Sequence, residues 1–328
     1  LLSPIFFSNA LAQLPTELSV IHGSADINSY GNSMTITNTP NTILDWQSFS
    51  IGPENHLHFQ QHDSSSLVLN RVLGNNPSEI LGKLTSNGGV WLINPYGILF
   101  GPDARIDLTS LVASTHDISN IDFLAHRYHF FSEHNTGELK NLGEIRTNFG
   151  GRVWLIGNHV QNEGLVYTPQ GQIVLAAGKK IELIDSAVPN ISVEISAPNS
   201  SAVNIGSLVA SNGTIDIHGS IVNQEGIIRA NSIATAPNGH ISLKADNVAL
   251  GSQNEIQAEN GTIHLEANTK LIQHGNTSGR EITLSAPQIL QQGRITAPGG
   301  NINLFAHNSI QLAGSLDTSN PRDTGGKI

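Results

Sequence analysis

Histidine is the residue type whose spacing in this chain could support metal chemistry. The chain has 14 histidines in 328 residues. Two groups lie close together in the sequence, and they are His56, His58 and His62, and His126, His129 and His134. Imidazoles that share one face of a strand can bind zinc or copper. The polar outward face of a half-buried strand gives the same spacing and is far commoner, so we predict no metal site and no cofactor.

Carboxylates are the second candidate for chemistry, because glycan-cleaving enzymes use paired acids. The acids of the second half of the chain are spread along it, and they include Glu182, Glu194, Asp216, Glu225, Asp246 and Glu266. They form no close pair in the sequence, although distant residues could still meet in space. Nucleotide fingerprints such as GxGxxG and GxxxxGK[ST] are absent from the sequence. We therefore predict a protein that is not an enzyme.

The composition excludes several classes of protein. Only 13% of the residues are charged and 5% are aromatic, while 32 are glycine, which is unlike a helical bundle or coiled coil. The hydrophobic content of 38% is enough to form a core. A net charge of -10 provides no basic surface for nucleic acid or anionic lipid. Without cysteine, the chain has no disulfides and no thiolate ligands.

The first twelve residues, LLSPIFFSNALA, differ from the rest of the chain. They resemble the apolar part of a secretory signal that ends in a small-x-small cleavage site at Ala10, Leu11 and Ala12. We predict that residues 1–12 are the remnant of a signal peptide, with a buried N-terminal strand as the alternative. No apolar run reaches eighteen residues, so we expect no membrane span.

A repeat of about 20 residues runs through the second half of the chain. Each copy has a turn residue followed by alternating apolar and polar residues, which is the pattern of a half-buried strand. The first apolar positions recur at nearly even intervals, and they are Val153, Ile173, Val193, Ile215, Ile241, Ile263, Ile282 and Ile302. Two further columns interleave with this one, and the weaker of them includes Ile181.

Three short strands in each repeat predict an all-β fold, a parallel β-helix with coils of about 20 residues. Inward columns of Ile, Leu and Val would form a continuous core, and outward residues such as Asp216 and His218 would face water. Because open strand edges recruit other chains, we expect residues 13–50 to form an N-terminal β cap and the first strands. Residues 51–250 would form the main β-helix domain, and residues 251–328 would continue it.

The segment 116–135 interrupts the repeat and is rich in aromatic residues. It predicts an extra hairpin on the flank of the solenoid, with a partner surface as the alternative. The interval from Val90 to Val153 matches three coils of the repeat, so we expect the interruption to keep the phase. The last residues, TGGKI, are similar to the start of another coil. This favours the N-terminal piece of a longer rod, and we expect the protein to be a monomer.

Several ordered blocks within residues 43–119 carry a resemblance to a known family. They include LNRV at 69–72, SEILGKL at 78–84 and NPYG at 94–97. Residues 20–250, and most specifically 43–119, closely resemble the haemagglutination-activity domain of two-partner-secretion (TPS) exoproteins. That family includes filamentous haemagglutinins, haemolysins, haem-acquisition exoproteins and contact-dependent inhibition toxins.

The resemblance implies a right-handed β-helix with an N-terminal cap, exported through the periplasm and secreted or displayed on the surface of a Gram-negative cell. Its partner would be an outer-membrane transporter with POTRA domains. The family's Asn-Pro-Asn-Gly motif maps to Asn94, Pro95, Tyr96 and Gly97, with Tyr96 in place of the usual Asn. The resemblance implies transporter recognition by these residues and by the motif residues Asn70 and Arg71.

The residues themselves leave a structural role open. Pro95 fixes φ at a corner and Gly97 permits a positive φ, so residues 94–97 could simply form a turn. Arg71 could equally pair with a neighbouring carboxylate or carbonyl group.

We therefore predict the N-terminal secretion domain of a large adhesin, haemagglutinin or toxin, which is recognised by its transporter and nucleates β-helix folding outside the cell. The alternatives are an adhesive module that binds host glycan or receptor, and a β-helical polysaccharide-degrading enzyme.

Overall fold

The structure is a computed structural model that describes residues 14–132, 137–184, 190–194, 200–231, 239–320 and 325–328. The predicted signal remnant at residues 1–12 and His134 lie outside the described residues. Strands dominate the described part of the chain, which contains one short helix. None of its helices has the length and apolar character needed to span a bilayer.

The elements follow one another in short steps. The first strands are β1 (Thr16–His22), β2 (Ala25–Tyr30), β3 (Ser33–Asn38), β4 (Thr42–Ser48), β5 (His56–Gln60), β6 (Leu67–Val72), β7 (Ser78–Ile80), β8 (Lys83–Ser86), β9 (Gly89–Ile93), β10 (Ile98–Phe100) and β11 (Arg105–Ser114). The helix α1 (Asn120–Leu124) is followed by β12 (Tyr128–Phe131), β13 (Leu139–Asn141), β14 (Glu144–Gly157), β15 (His159–Asn162), β16 (Leu165–Tyr167), β17 (Gln172–Ala177), β18 (Lys180–Ile184), β19 (Asn190–Glu194), β20 (Ser201–Asn204), β21 (Ser207–Val209) and β22 (Thr214–Gln224). The last strands are β23 (Ile227–Arg229), β24 (His240–Leu250), β25 (Glu255–Gln273), β26 (Asn276–Ser285), β27 (Gln288–Gln291), β28 (Arg294–Thr296), β29 (Asn301–Phe305), β30 (Ser309–Leu312) and β31 (Ser315–Asp317).

Most of these strands form a parallel β-solenoid of about twelve turns, which confirms the predicted fold. Each turn adds a rung to three faces. Face A runs through β4, β6, β9 and their equivalents, face B through β5 and β8, and face C through β7 and β10. The long strand β25 passes two corners and contributes to all three faces. The register on face A joins Val153, Ile173, Ile215 and Ile241 on successive rungs.

The core is a stack of aliphatic columns with one polar column at a corner. Along this polar column, Asn141 donates to Asn162, which donates to Asn204, which donates to Gln224, each over 2.8 Å. All four side chains are fully buried. Their amides satisfy one another from turn to turn, as buried polar groups must.

Replacing Asn162 with leucine is expected to lower the free energy of unfolding by about 2–3 kcal/mol, because it leaves the Asn141 and Asn204 amides without their partners in a buried column. Chemical denaturation would measure the change. Replacing the exposed Asn148 with leucine is the control and should cost less than about 0.5 kcal/mol. Equal effects of the two substitutions would contradict the role of the column.

The N-terminal strands cover the start of the solenoid. β1 pairs antiparallel with β4 on face A, and β2 pairs antiparallel with β3 on face B. β3 then pairs in parallel with β5, so antiparallel strands close the first rungs of two faces. At the other end, Lys327 pairs with Asn301 in a parallel bridge, and the Lys327 carbonyl accepts from the amide of Ile302 over 2.9 Å. The residues after 324 therefore lie on the last rung of face A.

A second, smaller sheet lies on the outside of face A. In this side sheet β18 pairs antiparallel with β12 on one edge and with β19 on the other. Val193 was predicted as a position of the first solenoid column and Ile181 as part of the weaker one, and both predictions are wrong. Strand β19 and Ile181 belong to the side sheet. An antiparallel strand with one buried face has the same alternation as a solenoid strand, so the pattern alone cannot separate them.

Two insertions each lengthen one turn of the solenoid. The first contains α1 and β12, and the second contains β18 and β19. On face A, Val90 pairs with Leu111, which pairs with Val153, so two turns separate Val90 from Val153 and not the three expected. The second of these turns contains α1 and β12 and has about twice the usual length. Ile173 pairs directly with Ile215, so the turn that carries β18 and β19 is equally long. The predicted flank hairpin near 116–135 is instead a helix and one strand, whose partner strand comes from the later insertion.

Candidate functional site

The corner at residues 94–97 joins face A to face C in the third turn. The Asn94 side chain is fully buried, and its amide donates to the Asn76 carbonyl at 3.0 Å and to Ser78 Oγ at 2.9 Å. Its Oδ1 accepts from the amide of Tyr96 at 3.0 Å, and its carbonyl accepts from the amide of Gly97 at 3.1 Å. Every polar group of Asn94 is thus used within the chain to fix the corner and the turn before it.

Glycine is required where this corner contacts the next turn. Gly97 has φ of +124°, and a Cβ there would lie 3.1 Å from the Glu138 carbonyl oxygen. A Cβ at Gly137 would lie 2.1 Å from the Tyr96 carbonyl oxygen, a distance that no side chain tolerates. The Gly137 amide donates to the Pro95 carbonyl over 2.8 Å. The corner therefore sets the position of the following turn through its backbone.

Tyr96 is the residue of the motif that the corner presents to solvent. Its side chain is 52% exposed, whereas Asn94 and Gly97 are buried and Pro95 is half-buried. The two interpretations of the motif, a structural turn and recognition by a transporter, thus apply to different residues. Asn94 and Gly97 build the turn, and Tyr96 is available to a partner.

Asn70 lies inside the solenoid. Its side chain is fully buried, accepts a hydrogen bond from Trp46 Nε1 at 3.0 Å and donates to the Trp91 carbonyl at 3.2 Å. It therefore joins the rungs on either side of it and cannot touch a partner of the folded chain.

Arg71 connects the second turn to the first insertion. Its guanidinium donates to Asp117 Oδ1 at 2.9 Å, to Asn120 Oδ1 at 3.0 Å and to the Ile118 carbonyl at 2.7 Å, and it lies 3.4 Å from Asp45 Oδ1. From the sequence, Arg71 could pair with a carboxylate or with a carbonyl group. The structure shows both contacts. With its side chain only 14% exposed, Arg71 holds the insertion against face A.

An aromatic cluster joins the side sheet to face A, and sequence reasoning missed it. The Trp91 ring centroid lies 5.2 Å from Phe123, 5.6 Å from Tyr128, 5.7 Å from Phe130 and 6.4 Å from Trp154. A signal was present in the sequence, because GVWLI at 89–93 and VWLIG at 153–157 lack polar residues at the outward positions. Consecutive apolar residues in a strand indicate burial on both sides.

Asp216 and His218 were expected to face water, and this prediction is wrong. They point outward from face A on the rung after the one that carries β17, but only 5% and 8% of their surfaces are exposed. Burial raises the pKa of Asp216 to about 7 despite a hydrogen bond with Gln172. Burial, with Lys244 nearby, lowers the pKa of His218 to about 4.

Several other candidates for chemistry make ordinary surface contacts. His56 Nε2 and His58 Nδ1 both bond Thr85 Oγ1, at 2.7 and 2.8 Å. Within the described residues no three His, Asp or Glu side chains are placed to hold a metal ion. Three of the acids have partners on neighbouring strands, and the pairs are Glu182 with His129, Asp246 with Ser220 and Glu266 with Lys244.

Comparison with known proteins gives consistent matches. The heme/hemopexin-binding protein of Haemophilus influenzae strain Rd is 32% identical over 308 residues, which cover 88% of this chain and 33% of that protein. A second heme/hemopexin-binding protein of Haemophilus influenzae is 27% identical over 290 residues, covering 79% of this chain and 31% of that protein. This chain thus spans about a third of the length of these relatives.

A solved structure matches over nearly the whole chain. The secretion domain of HMW1 from Haemophilus influenzae superposes with a TM-score of 0.69 and 25% sequence identity, covering 92% of this chain and all of that one. The family model for the TPS secretion domain matches residues 12–265, which include the corner, the side sheet and Arg71. The chain therefore belongs to the TPS secretion domain family, a family of exoprotein secretion domains and not of enzymes.

Proposed function

We propose that this domain is recognised by a cognate outer-membrane transporter after it reaches the periplasm, and that POTRA domains of the transporter make the contact. The observation that carries the proposal is the family match across the corner at residues 94–97, where a buried Asn94 displays an exposed Tyr96. Among the motif residues, Tyr96 is the one whose side chain is most exposed to a partner of the folded domain.

The other motif residues act from inside the fold. Asn70 and Asn94 are fully buried, and Arg71 is nearly so. In the folded domain they position the corner and the insertion. A transporter can contact their side chains only while the exported chain is still unfolded. Binding to folded and to unfolded chain is therefore expected to depend on different residues of the same motif.

Replacing Tyr96 with alanine should leave stability unchanged within about 0.5 kcal/mol, because the side chain is half in solvent. It should weaken binding of the folded domain to the purified periplasmic part of the transporter by tenfold or more, as expected when an exposed aromatic anchor is removed from an interface. Isothermal titration would measure the affinity. The matched control is Phe149→Ala, at a corner between faces B and A, where the ring is 77% exposed. Equal affinity of wild type and Tyr96→Ala would contradict this assignment.

We also propose that the folded domain nucleates further turns of the exoprotein outside the cell. Successive rungs of face C stack in register, and Ile289 pairs with Ile310 in this way. A rung added in the same register would extend the same apolar columns. Each added turn releases free energy through apolar burial, so folding would favour outward movement without nucleotide hydrolysis.

The names of the relatives favour a second candidate, which is haem or hemopexin binding by the exoprotein. The test is whether the purified domain is retained on hemopexin-coated beads or changes the absorbance of added haem. Binding would support a role for these residues in that activity. Absence of both signals would remove this candidate for the domain.

A further inference from the structure

A trench crosses three consecutive turns of face B near the end of the described chain. The register aligns Glu255 with Asn276 and Arg294 on successive rungs. On the middle rung, Asn276 and Ser278 have shorter side chains than their neighbours, so this rung forms the floor. The resulting depression has a volume of about 280 Å³.

The trench deepens at the corner between faces B and A, because the middle turn takes a shorter path there. Ala258 pairs with Gly279 and Thr262 pairs with Glu281, so the middle corner is two residues shorter than the one before it. The corner after it is longer by the same two residues. The two longer corners project on either side and leave a second depression of about 430 Å³, which shares Ser278 with the first.

Opposite charges line the two sides of the trench. On one side the Glu255 carboxylate lies 3.3 Å from the Arg229 guanidinium. On the other side Arg294 contacts Thr296 at 3.3 Å and Asp317 at 3.6 Å. These contacts place a carboxylate and a guanidinium on opposite sides of the trench, where both stay partly exposed and open to a ligand. The exposed Arg280 lines the corner depression.

We propose that this trench binds an oligosaccharide. Sugar hydroxyls both donate and accept, so they can pair with the carboxylate on one side, the guanidinium on the other and the amides and hydroxyls of the floor. The larger depression lies within the range of volumes typical of ligand sites. An acidic wall and a net charge of -10 disfavour a nucleic acid.

An extended peptide fits the trench less well. Peptides bind through apolar anchors or by adding a strand to an open sheet edge. The residues that line the two depressions are polar apart from Ile256, Gly279, Pro298 and Gly299. The floor strand is paired on both sides, so its backbone offers no free edge. Most of the trench also lies beyond residue 265, where the family match ends, so its function is separable from secretion.

The test is binding of the purified chain to a printed array of neutral, sulfated and carboxylated oligosaccharides. Ser278→Trp fills the floor and Arg294→Ala removes one wall, and each should reduce the array signal at least tenfold. The control is Thr283→Trp, which places the same bulk on face A of the same turn and should bind as wild type does. Circular dichroism would check folding, and Arg280→Ala tests the corner if Ser278→Trp does not fold.

Two results would overturn the proposal. These are binding to no oligosaccharide on the array, and wild-type signals from both trench variants. Transporter-dependent release of Arg294→Ala should match that of wild type. This readout therefore separates a failure of the glycan site from a failure of the proposed secretion function.

Discussion

Replacing Trp91 with alanine should lower the free energy of unfolding by about 3–5 kcal/mol, the range for truncating a buried Trp. Only 3% of its surface is exposed, and its ring lies between face A and the side sheet. The substitution removes the contacts with Phe123, Tyr128 and Phe130 together. The side sheet is therefore expected to detach first, with faster hydrogen exchange at β12 and β18 than on the solenoid rungs.

Urea denaturation and hydrogen exchange would measure these effects. The matched control is Phe149→Ala, which removes an exposed aromatic ring and should cost less than about 0.5 kcal/mol. An unchanged free energy of unfolding for Trp91→Ala would show that the side sheet does not depend on the aromatic cluster. Equal acceleration of exchange on all three faces would contradict detachment of the side sheet as a separate step.

Asp216→Asn is expected to stabilise the protein increasingly as the pH rises from 4 to 7, by up to about 4 kcal/mol. The pKa of Asp216 is raised from 3.8 to about 7 by burial. In that window the folded state holds a proton that the unfolded state has released, so wild-type stability from this group falls with rising pH. Asparagine is never charged and removes this loss.

His218→Gln is a control whose stability relative to the wild type should change with pH in the opposite direction. Burial lowers the pKa of His218 from 6.5 to about 4, so between these values the unfolded state binds a proton that the folded state lacks. The wild type therefore loses stability from His218 as the pH falls, and His218→Gln should gain up to about 3 kcal/mol relative to it toward pH 4.

In the wild type these two contributions nearly cancel between pH 4 and 6.5. Urea denaturation of the three proteins at pH 4.5, 6 and 8 would test this. Stability differences that do not change with pH would contradict the burial of both groups.

The solenoid could be predicted from the sequence because each rung repeats the same inward columns. Ile215, Ile241 and Ile263 recur with polar residues between them, and the structure stacks them in register. The physical cause is the repeat of about 20 residues, because identical apolar columns stack in register only when each strand pairs with its equivalent one turn away. The turn that Pro95 and Gly97 made possible at residues 94–97 is also observed.

The side sheet could not be predicted in the same way, because its strands come from two insertions that a whole turn of the solenoid separates. Lys180 pairs with Phe131 and with Glu194, and no local pattern distinguishes these strands from solenoid rungs. The expected exposure of Asp216 and His218 failed for a related reason. Alternation predicts which way a side chain points, but burial of the outer surface depends on what else lies against it.

We propose above that this domain directs secretion through a dedicated transporter. The most direct measurement is release of the domain, behind an intact signal peptide, into the medium with and without co-expression of its cognate outer-membrane transporter. We predict release only when the transporter is present, and retention in the periplasm otherwise. Release without the transporter, or retention despite it, would contradict the account.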